Sequence, residues 1–140
     1  MDRNVINKNS LLKETPQFSS ENSGVQLRQY AGMHLLAEFW DAKHIEELSV
    51  LDNVLRCASE ASNSKALKVE ICKFSPYGVT GFVILAESHI SIHSWPEMNY
   101  LAIDIFTCGE HTMPHNALEY LKQIFCPQKI EIQEIKRGKL

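Results

Sequence analysis

Reactive side chains are unusually dense in the middle of this sequence, over PYGVTGFVILAESHISIHSWPEMNYLAIDIFTCGEH, residues 76–111. They are Thr80, Glu87, Ser88, His89, His93, Glu97, Cys108 and His111, and His115 follows shortly after. The segments between them are apolar, so these polar residues interrupt a pattern that is otherwise typical of a buried core. Three kinds of chemistry fit the residue types: metal binding, nucleophilic catalysis by a thiol, and self-cleavage at a serine.

The histidines and the cysteine are ligands that zinc prefers. Their spacing, His89-x3-His93 followed by Cys108-x2-His111-x3-His115, is loose. Residues four positions apart converge on one face of a helix, but in a strand they lie about 13 Å apart along its axis. Because residues 89–95 have the pattern of a strand, the spacing argues against zinc, and we predict no metal.

Cys108 acting with a histidine and an acid is the second arrangement. A single cysteine and a distant histidine are a weak signal, because such residues occur together by chance. Taken alone, Cys108 fits a buried thiol at the end of a strand better than a nucleophile.

The third arrangement places Glu87 and Ser88 in a tight reversal between two apolar segments. A serine hydroxyl can attack the preceding carbonyl and convert the amide to an ester, which requires a strained turn and help from neighbouring groups. If the ester then eliminates, Ser88 becomes a pyruvoyl group, which binds a substrate amine as a Schiff base and withdraws electrons. Regular alternation puts Ser88 and His93 on opposite faces of a strand, so they converge only if the chain near Ser88 leaves strand geometry.

Hydrophobic periodicity predicts the elements that must position these residues. Strand-like patterns cover residues 34–39, 66–74, 79–86, 89–95, 100–106 and 129–136. Helical patterns cover residues 46–61 and a segment that Pro114 begins and Pro127 ends. If the two adjacent segments around residue 87 count as one, the order is strand, helix, three strands, helix, strand. We therefore predict an α+β two-layer sandwich, with a mainly antiparallel sheet and two helices on one face.

Composition excludes several classes of function. The chain has 140 residues, a formal net charge of −3 and scattered Lys and Arg, so a nucleic-acid-binding patch is not expected. The sequence contains no apolar run of membrane-spanning length and no apolar signal segment, and its cysteines lack paired spacing, which favours a cytoplasmic protein with reduced thiols. We predict a disordered polar extension over residues 1–30 and one domain over residues 31–140, with Cys57, Cys72 and Cys126 as small core residues.

The segments ESHISIHSWPE and AIDIFTCG closely resemble the maturation and active-site region of the bacterial and archaeal S-adenosylmethionine decarboxylase proenzymes. The resemblance covers residues 32–138. It includes GMHLLAEFWDA, FSPYGVTGFVILAE, CGEHTMPHNALEYL and EIKRG. It implies self-cleavage between Glu87 and Ser88 into residues 1–87 and 88–140. It also implies a pyruvoyl cofactor derived from Ser88, S-adenosylmethionine as substrate, a role in spermidine synthesis, and a homodimer of cleaved protomers with active sites close to the subunit interface.

The same resemblance assigns roles to individual residues. His93 is similar to the histidine that removes the α-proton during ester elimination, and Thr80 takes the place of a hydroxyl residue, usually serine, that assists processing. Cys108 resembles the acid that reprotonates the substrate carbon after decarboxylation. Glu97 resembles the carboxylate that binds the ribose hydroxyls, and Phe74 resembles an aromatic residue that stacks on adenine.

The sequence departs from the family pattern at several positions. Cys72 replaces a histidine, Met98 and Asn99 replace Tyr-Gly, and Leu101 replaces a small residue, so the last three are expected to reshape the pocket near Glu97. The changes at Met98, Asn99 and Leu101 leave open a pyruvoyl-dependent decarboxylase of ornithine or arginine. Thr80 leaves open a second alternative, an uncleaved, non-catalytic relative that binds a partner.

Overall fold

Residues 29–140 are described by a computed structural model, in which six strands and two helices form one unit. The strands are β1 (Tyr30–Trp40), β2 (Ala66–Lys73), β3 (Val79–Leu85), β4 (Ser88–Trp95), β5 (Tyr100–Cys108) and β6 (Lys129–Lys139). The helices are α1 (Leu48–Ala61) and α2 (Pro114–Phe125), and a short 3-10 turn spans Pro96–Met98. The predicted extension lies outside the described residues up to residue 28.

The strands form one antiparallel sheet in the order β2-β3-β4-β5-β1-β6. Side chains alternate between the two faces of the sheet, as the period of two requires, and the helices cover one of these faces. In β5, for example, Leu101, Ile103 and Ile105 are buried under the helices, whereas the residues between them face the other side. The predicted α+β two-layer sandwich with helices on one face is confirmed, and the face of the sheet opposite the helices is called the outer face below.

Four strands lie between the helices, one more than predicted. The segments on either side of Glu87 each form a complete strand, because Leu85 pairs directly with Ser88 and only two residues, Ala86 and Glu87, make the turn. Helix α1 begins at Leu48, two residues later than predicted. Cys72 and Cys126 are exposed rather than buried, so their prediction as core residues is wrong.

The core lies between the helices and the inner side of the sheet. Helix α1 contributes Leu51, Leu55 and Ala58, which are three to four residues apart and therefore share one face. The helix approaches β3 closely, since a Cβ on Gly81 would stand 2.9 Å from a methyl carbon of Leu55. Among the described residues, no helix is long and apolar enough to cross a membrane.

Replacing Leu55 by alanine should destabilise the protein by about 2–5 kcal/mol, because the side chain is completely buried and a cavity would remain between α1 and β3. The matched control is Leu48→Ala on the same helix, where the side chain is 44% exposed and little packing is lost. Urea unfolding followed by circular dichroism measures both. Equal stabilities of the two variants would contradict this description of the core.

Candidate active site

The turn between β3 and β4 contains the residues predicted to undergo cleavage. Ser88 has a φ of +139°, a backbone conformation that side-chain-bearing residues rarely adopt. The strands on either side hold Ser88 in the sheet, since it pairs with Leu85 on β3 and with Thr107 on β5. The strained serine is therefore fixed between two strands and not in a free loop.

The carbonyl group that precedes Ser88 is also fixed. The backbone N–H of Cys108 donates a hydrogen bond to the carbonyl oxygen of Glu87, with a donor–acceptor distance of 2.9 Å. A donor at this position polarises the carbonyl and would stabilise negative charge on its oxygen. The structure thus brings together Glu87, Ser88 and Cys108, three of the residues singled out from the sequence.

Thr80 and His93 form a second group. They are direct partners across β3 and β4, and Oγ1 of Thr80 lies 3.1 Å from Nδ1 of His93. Both belong to the outer face. His93 is five residues along β4 from Ser88, a distance of about 16 Å at the usual rise of a strand. The irregular backbone at Ser88 does not bring the two residues together within one protomer.

The two predicted substrate-binding residues lie at the His93 end of the sheet. Phe74 follows β2 and is 50% exposed, and Glu97 lies exposed in the 3-10 turn after β4. The two segments are adjacent, because a Cβ on Gly78 would stand 3.1 Å from the carbonyl oxygen of Ser94 and 3.8 Å from Pro96. Phe74, Glu97 and the Thr80–His93 pair therefore share one end of the molecule, opposite Ser88.

Sequence reasoning missed two residues at this end. The Glu46 carboxylate accepts a hydrogen bond from the N–H of Gly78 at 3.0 Å and so anchors the loop that carries Phe74. His44 has two buried ring nitrogens without hydrogen-bond partners, and burial lowers its pKa, although Glu46 and Glu97 act in the opposite direction. Both precede α1 in the structure. His44 lies outside the predicted periodic segments and Glu46 is the first residue of the predicted helical pattern, so neither carries a sequence signal that marks it as part of the site.

The outer face carries a polar network between aromatic side chains. Asp104 accepts a hydrogen bond from Ser91 at 3.1 Å and lies 3.1 Å from Nε2 of His34. The ring of His89 stacks on Phe82, with centroids 5.2 Å apart. Burial lowers the pKa of His89, helped by His34 and opposed by Asp104.

Glu38 lies on the same outer face, and it accepts a hydrogen bond from the hydroxyl of Tyr100. Burial raises the pKa of Glu38, and the nearby carboxylates Glu131 and Asp104 raise it further. The outer face therefore combines exposed apolar rings with partly desolvated charged groups, and the helices leave it uncovered.

The departures from the family pattern have different structural consequences. Asn99 adopts a left-handed conformation with a φ of +51°, which asparagine tolerates better than most residues, so it can replace glycine there without altering the turn. Leu101 is buried under the helices and does not face the outer side, and its effect on the pocket near Glu97 stays a prediction. Met98 is exposed beside Glu97. Cys72, which lies on β2, pairs with Thr80 on β3 and is exposed.

No group of three or more histidine, cysteine or acidic side chains within residues 29–140 is arranged to hold a metal ion. His89 and His93 lie four residues apart on β4, and His115 lies on α2. The zinc alternative therefore has no supporting geometry in this part of the chain.

Comparisons with a family model, with related sequences and with a solved structure all lead to the same family. The family model described as S-adenosylmethionine decarboxylase matches residues 33–138. The chain is 42% identical over 108 residues to the S-adenosylmethionine decarboxylase proenzyme of Thermomicrobium roseum, covering 76% of this chain and 93% of the relative. It is 41% identical over 114 residues to the proenzyme of the same name from Methanococcus aeolicus, covering 80% and 97%. The solved structure of the adenosylmethionine decarboxylase from Aquifex aeolicus superposes with a TM-score of 0.74 at 31% identity, covering 81% and 95%.

Proposed function

Because the chain belongs to the S-adenosylmethionine decarboxylase family, we propose that it is a proenzyme that cleaves itself between Glu87 and Ser88 and then decarboxylates S-adenosylmethionine. The pyruvoyl group made from Ser88 is the proposed cofactor. The observation that carries this proposal is the junction itself: a serine with a φ of +139°, preceded by a carbonyl that accepts a hydrogen bond from the Cys108 N–H.

Both features favour attack of the serine hydroxyl on the preceding carbonyl. Backbone strain raises the energy of the intact peptide, and cleavage releases it. The N–H donor stabilises the oxygen on which negative charge develops. The Oγ of Ser88 bonds to the carbonyl carbon of Glu87, the C–N bond breaks, and the nitrogen takes the hydroxyl proton, so an ester replaces the amide.

The second step requires a base. The α-proton of Ser88 is removed, the ester C–O bond breaks, and Glu87 leaves as a free carboxylate. Hydrolysis of the remaining dehydroalanine releases ammonia and gives the pyruvoyl group. His93 suits the role of base in the tautomer whose Nδ1–H donates a hydrogen bond to Oγ1 of Thr80, because Nε2 then carries the free lone pair that accepts the proton.

In the decarboxylation, the pyruvoyl group supplies an electron-withdrawing carbonyl that binds the substrate amine covalently. Cys108, at the end of β5 beside Ser88, is the proposed proton donor to the substrate carbon. Glu97 would accept hydrogen bonds from the ribose hydroxyls, and the exposed ring of Phe74 would stack on adenine. The hydrogen bond from the Cys108 N–H to the Glu87 carbonyl keeps Cys108 close to Ser88, and a proton donor for this site has to be close to Ser88.

A homodimer would complete the site. Within one protomer, Ser88 lies at one end of β4, whereas His93 and Glu97 lie at or beyond the other end. If a second copy packs its outer face on the first, a two-fold axis in the interface and perpendicular to the strands reverses their direction. The Ser88 end of one protomer then meets the His93 end of its partner. The exposed side chains of Phe82, Ile84 and Trp95 on this face would be covered.

The product, decarboxylated S-adenosylmethionine, would serve as the aminopropyl donor for spermidine synthesis. We propose a cytoplasmic location, which fits four free cysteines among the described residues.

Cleavage is tested by the intact mass of the purified protein. Wild-type protein should give two fragments of about 10 kDa and about 6 kDa, the smaller with a blocked, carbonyl-reactive N-terminus, instead of one species of 16.0 kDa. Ser88→Ala should remain uncleaved, since it lacks the attacking hydroxyl, while Ser91→Ala on the same strand should cleave. A wild-type protein that stays at 16.0 kDa after long incubation would favour the non-catalytic alternative.

The substrate is tested by carbon dioxide release from S-adenosylmethionine, ornithine and arginine in parallel. Only S-adenosylmethionine should react, and Glu97→Gln should raise its KM by about 10- to 100-fold, because a charged acceptor of two hydroxyls is lost. Glu119→Gln on the exposed face of α2 is the control and should leave the KM unchanged. Release from ornithine or arginine but not from S-adenosylmethionine would reject the proposed substrate.

The shared site is tested by co-expression of two inactive variants that carry different tags. Ser88→Ala and His93→Ala should each fail to mature alone. In a mixed dimer, the His93→Ala chain should cleave, because its Ser88 meets His93 of the Ser88→Ala chain. If co-expression restores no cleavage, the proposed assembly is rejected. The proposal that wild-type protein cleaves at Ser88 would still stand.

A further inference from the structure

Glu87 is held by groups that lie outside its own hairpin. The N–H of Lys65, in the segment between α1 and β2, donates to the Glu87 carboxylate with distances of 3.0 and 3.4 Å to the two oxygens. The carbonyl of Lys65 accepts a hydrogen bond from the N–H of Ala86 at 2.9 Å. Nε2 of His111 lies 3.5 Å from Oε1 of Glu87. The carboxylate side chain therefore bridges the start of β2 and the loop after β5.

The position of His111 is itself fixed. The side-chain amide of Asn63 donates to the carbonyl oxygen of His111 at 2.9 Å, which ties the loop to the end of α1. The imidazole lies directly over Gly109, because a Cβ there would stand 2.9 Å from Cε1 of the ring. Gly109 also has a φ of +91°, so a side chain is disfavoured on both counts.

The Glu87 carboxylate is largely buried, so it depends on its contacts with His111 and the Lys65 N–H. The Glu87 side chain is 14% exposed, whereas that of His111 is 57% exposed, so the imidazole forms the outer wall of the carboxylate site. A carboxylate withdrawn from water needs donors, and removing one leaves it under-solvated. The other charged groups that line the same cavity are Arg56, Glu60 and the Lys65 side chain. None of the three forms a hydrogen bond or ion pair with Glu87 in the described structure, apart from the backbone N–H of Lys65.

We propose that His111 is a positioning residue for self-cleavage, acting through the Glu87 carboxylate. With its side chain held by His111 and Lys65, and its carbonyl oxygen held by Cys108, Glu87 cannot rotate away from the Ser88 hydroxyl. The same contacts retain Glu87 when it becomes a chain terminus with a second carboxylate. This inference rests on the proposed cleavage at Glu87-Ser88, and it adds a residue to which the family resemblance gave no role.

The test follows the loss of full-length protein with time after cell-free synthesis. His111→Ala should slow cleavage at least about tenfold, since small misplacements of reacting groups cost one to two orders of magnitude in rate. His111→Gln should retain most of the rate, because its amide N–H can donate to the same carboxylate. His115→Ala is the matched control, because His115 is an exposed histidine that also pairs with a carboxylate, that of Glu134. The His115→Ala protein should cleave like wild type.

Three further readouts separate positioning from a general loss of structure. The melting temperature of His111→Ala, measured in the uncleavable Ser88→Ala protein, should match that of Ser88→Ala alone. Adding His111→Ala to Glu87→Gln should slow cleavage no further than Glu87→Gln does, because the two residues act through one contact. Hydroxylamine should not restore cleavage of His111→Ala, since the ester that it would split does not accumulate when the acyl shift is slow.

The outcomes also distinguish the two proposals. If wild-type protein does not cleave, the proposed function fails, whatever His111 does. If wild-type and His111→Ala protein cleave at the same rate, the positioning role is rejected and the proposed function stands. Additive effects of His111→Ala and Glu87→Gln, or a melting temperature lowered in proportion to the rate, would likewise reject the positioning role.

Discussion

Strand β4 is paired on both sides, with β3 and β5, from Ser88 onward, and this double pairing holds the serine in a conformation that it would leave in a free loop. A strained residue persists only when its surroundings determine its geometry from several directions. Here those directions are the pairings with Leu85 and Thr107 and the hydrogen bond from the Cys108 N–H to the Glu87 carbonyl. The sheet keeps this geometry because its inner side is packed on the two helices.

The same antiparallel pairing that creates the turn also separates the reactive groups. A hairpin places its turn at one end and the continuation of its strands at the other, so Ser88 and the Thr80–His93 pair cannot approach within one chain. The structure offers a means of reuniting them, because the outer face is uncovered and carries aromatic rings and partly desolvated carboxylates. In the proposed dimer, a second copy in the reversed direction would supply what each end lacks and would cover the open side of the sheet.

Much of the fold follows from local patterns, whereas the site follows only in part. Alternation along residues 100–106 and 129–136 and the helical spacing of Leu51, Leu55 and Ala58 predict their elements, because burial on one face imposes a period. The extra strand was missed because a two-residue turn leaves almost no polar interval between two apolar segments. The proximity of Ser88 and Cys108 depends on strand order, which periodicity does not encode. The contacts of Glu46 and His111 depend on loop conformations, and single side chains in loops carry no periodic signal.

Thr80 stands where the family pattern usually has a serine, and its strand environment suits the change. A serine at this position has a freely rotating hydroxyl, whereas the added methyl of threonine restricts χ1. In the middle of a sheet that restriction is favourable, since β-branched residues suit strands. The hydroxyl lies 3.1 Å from Nδ1 of His93, which is the contact that the proposed mechanism needs. The substitution therefore keeps the hydroxyl that contacts His93, and the side chain lies on the outer face, away from the core under the helices.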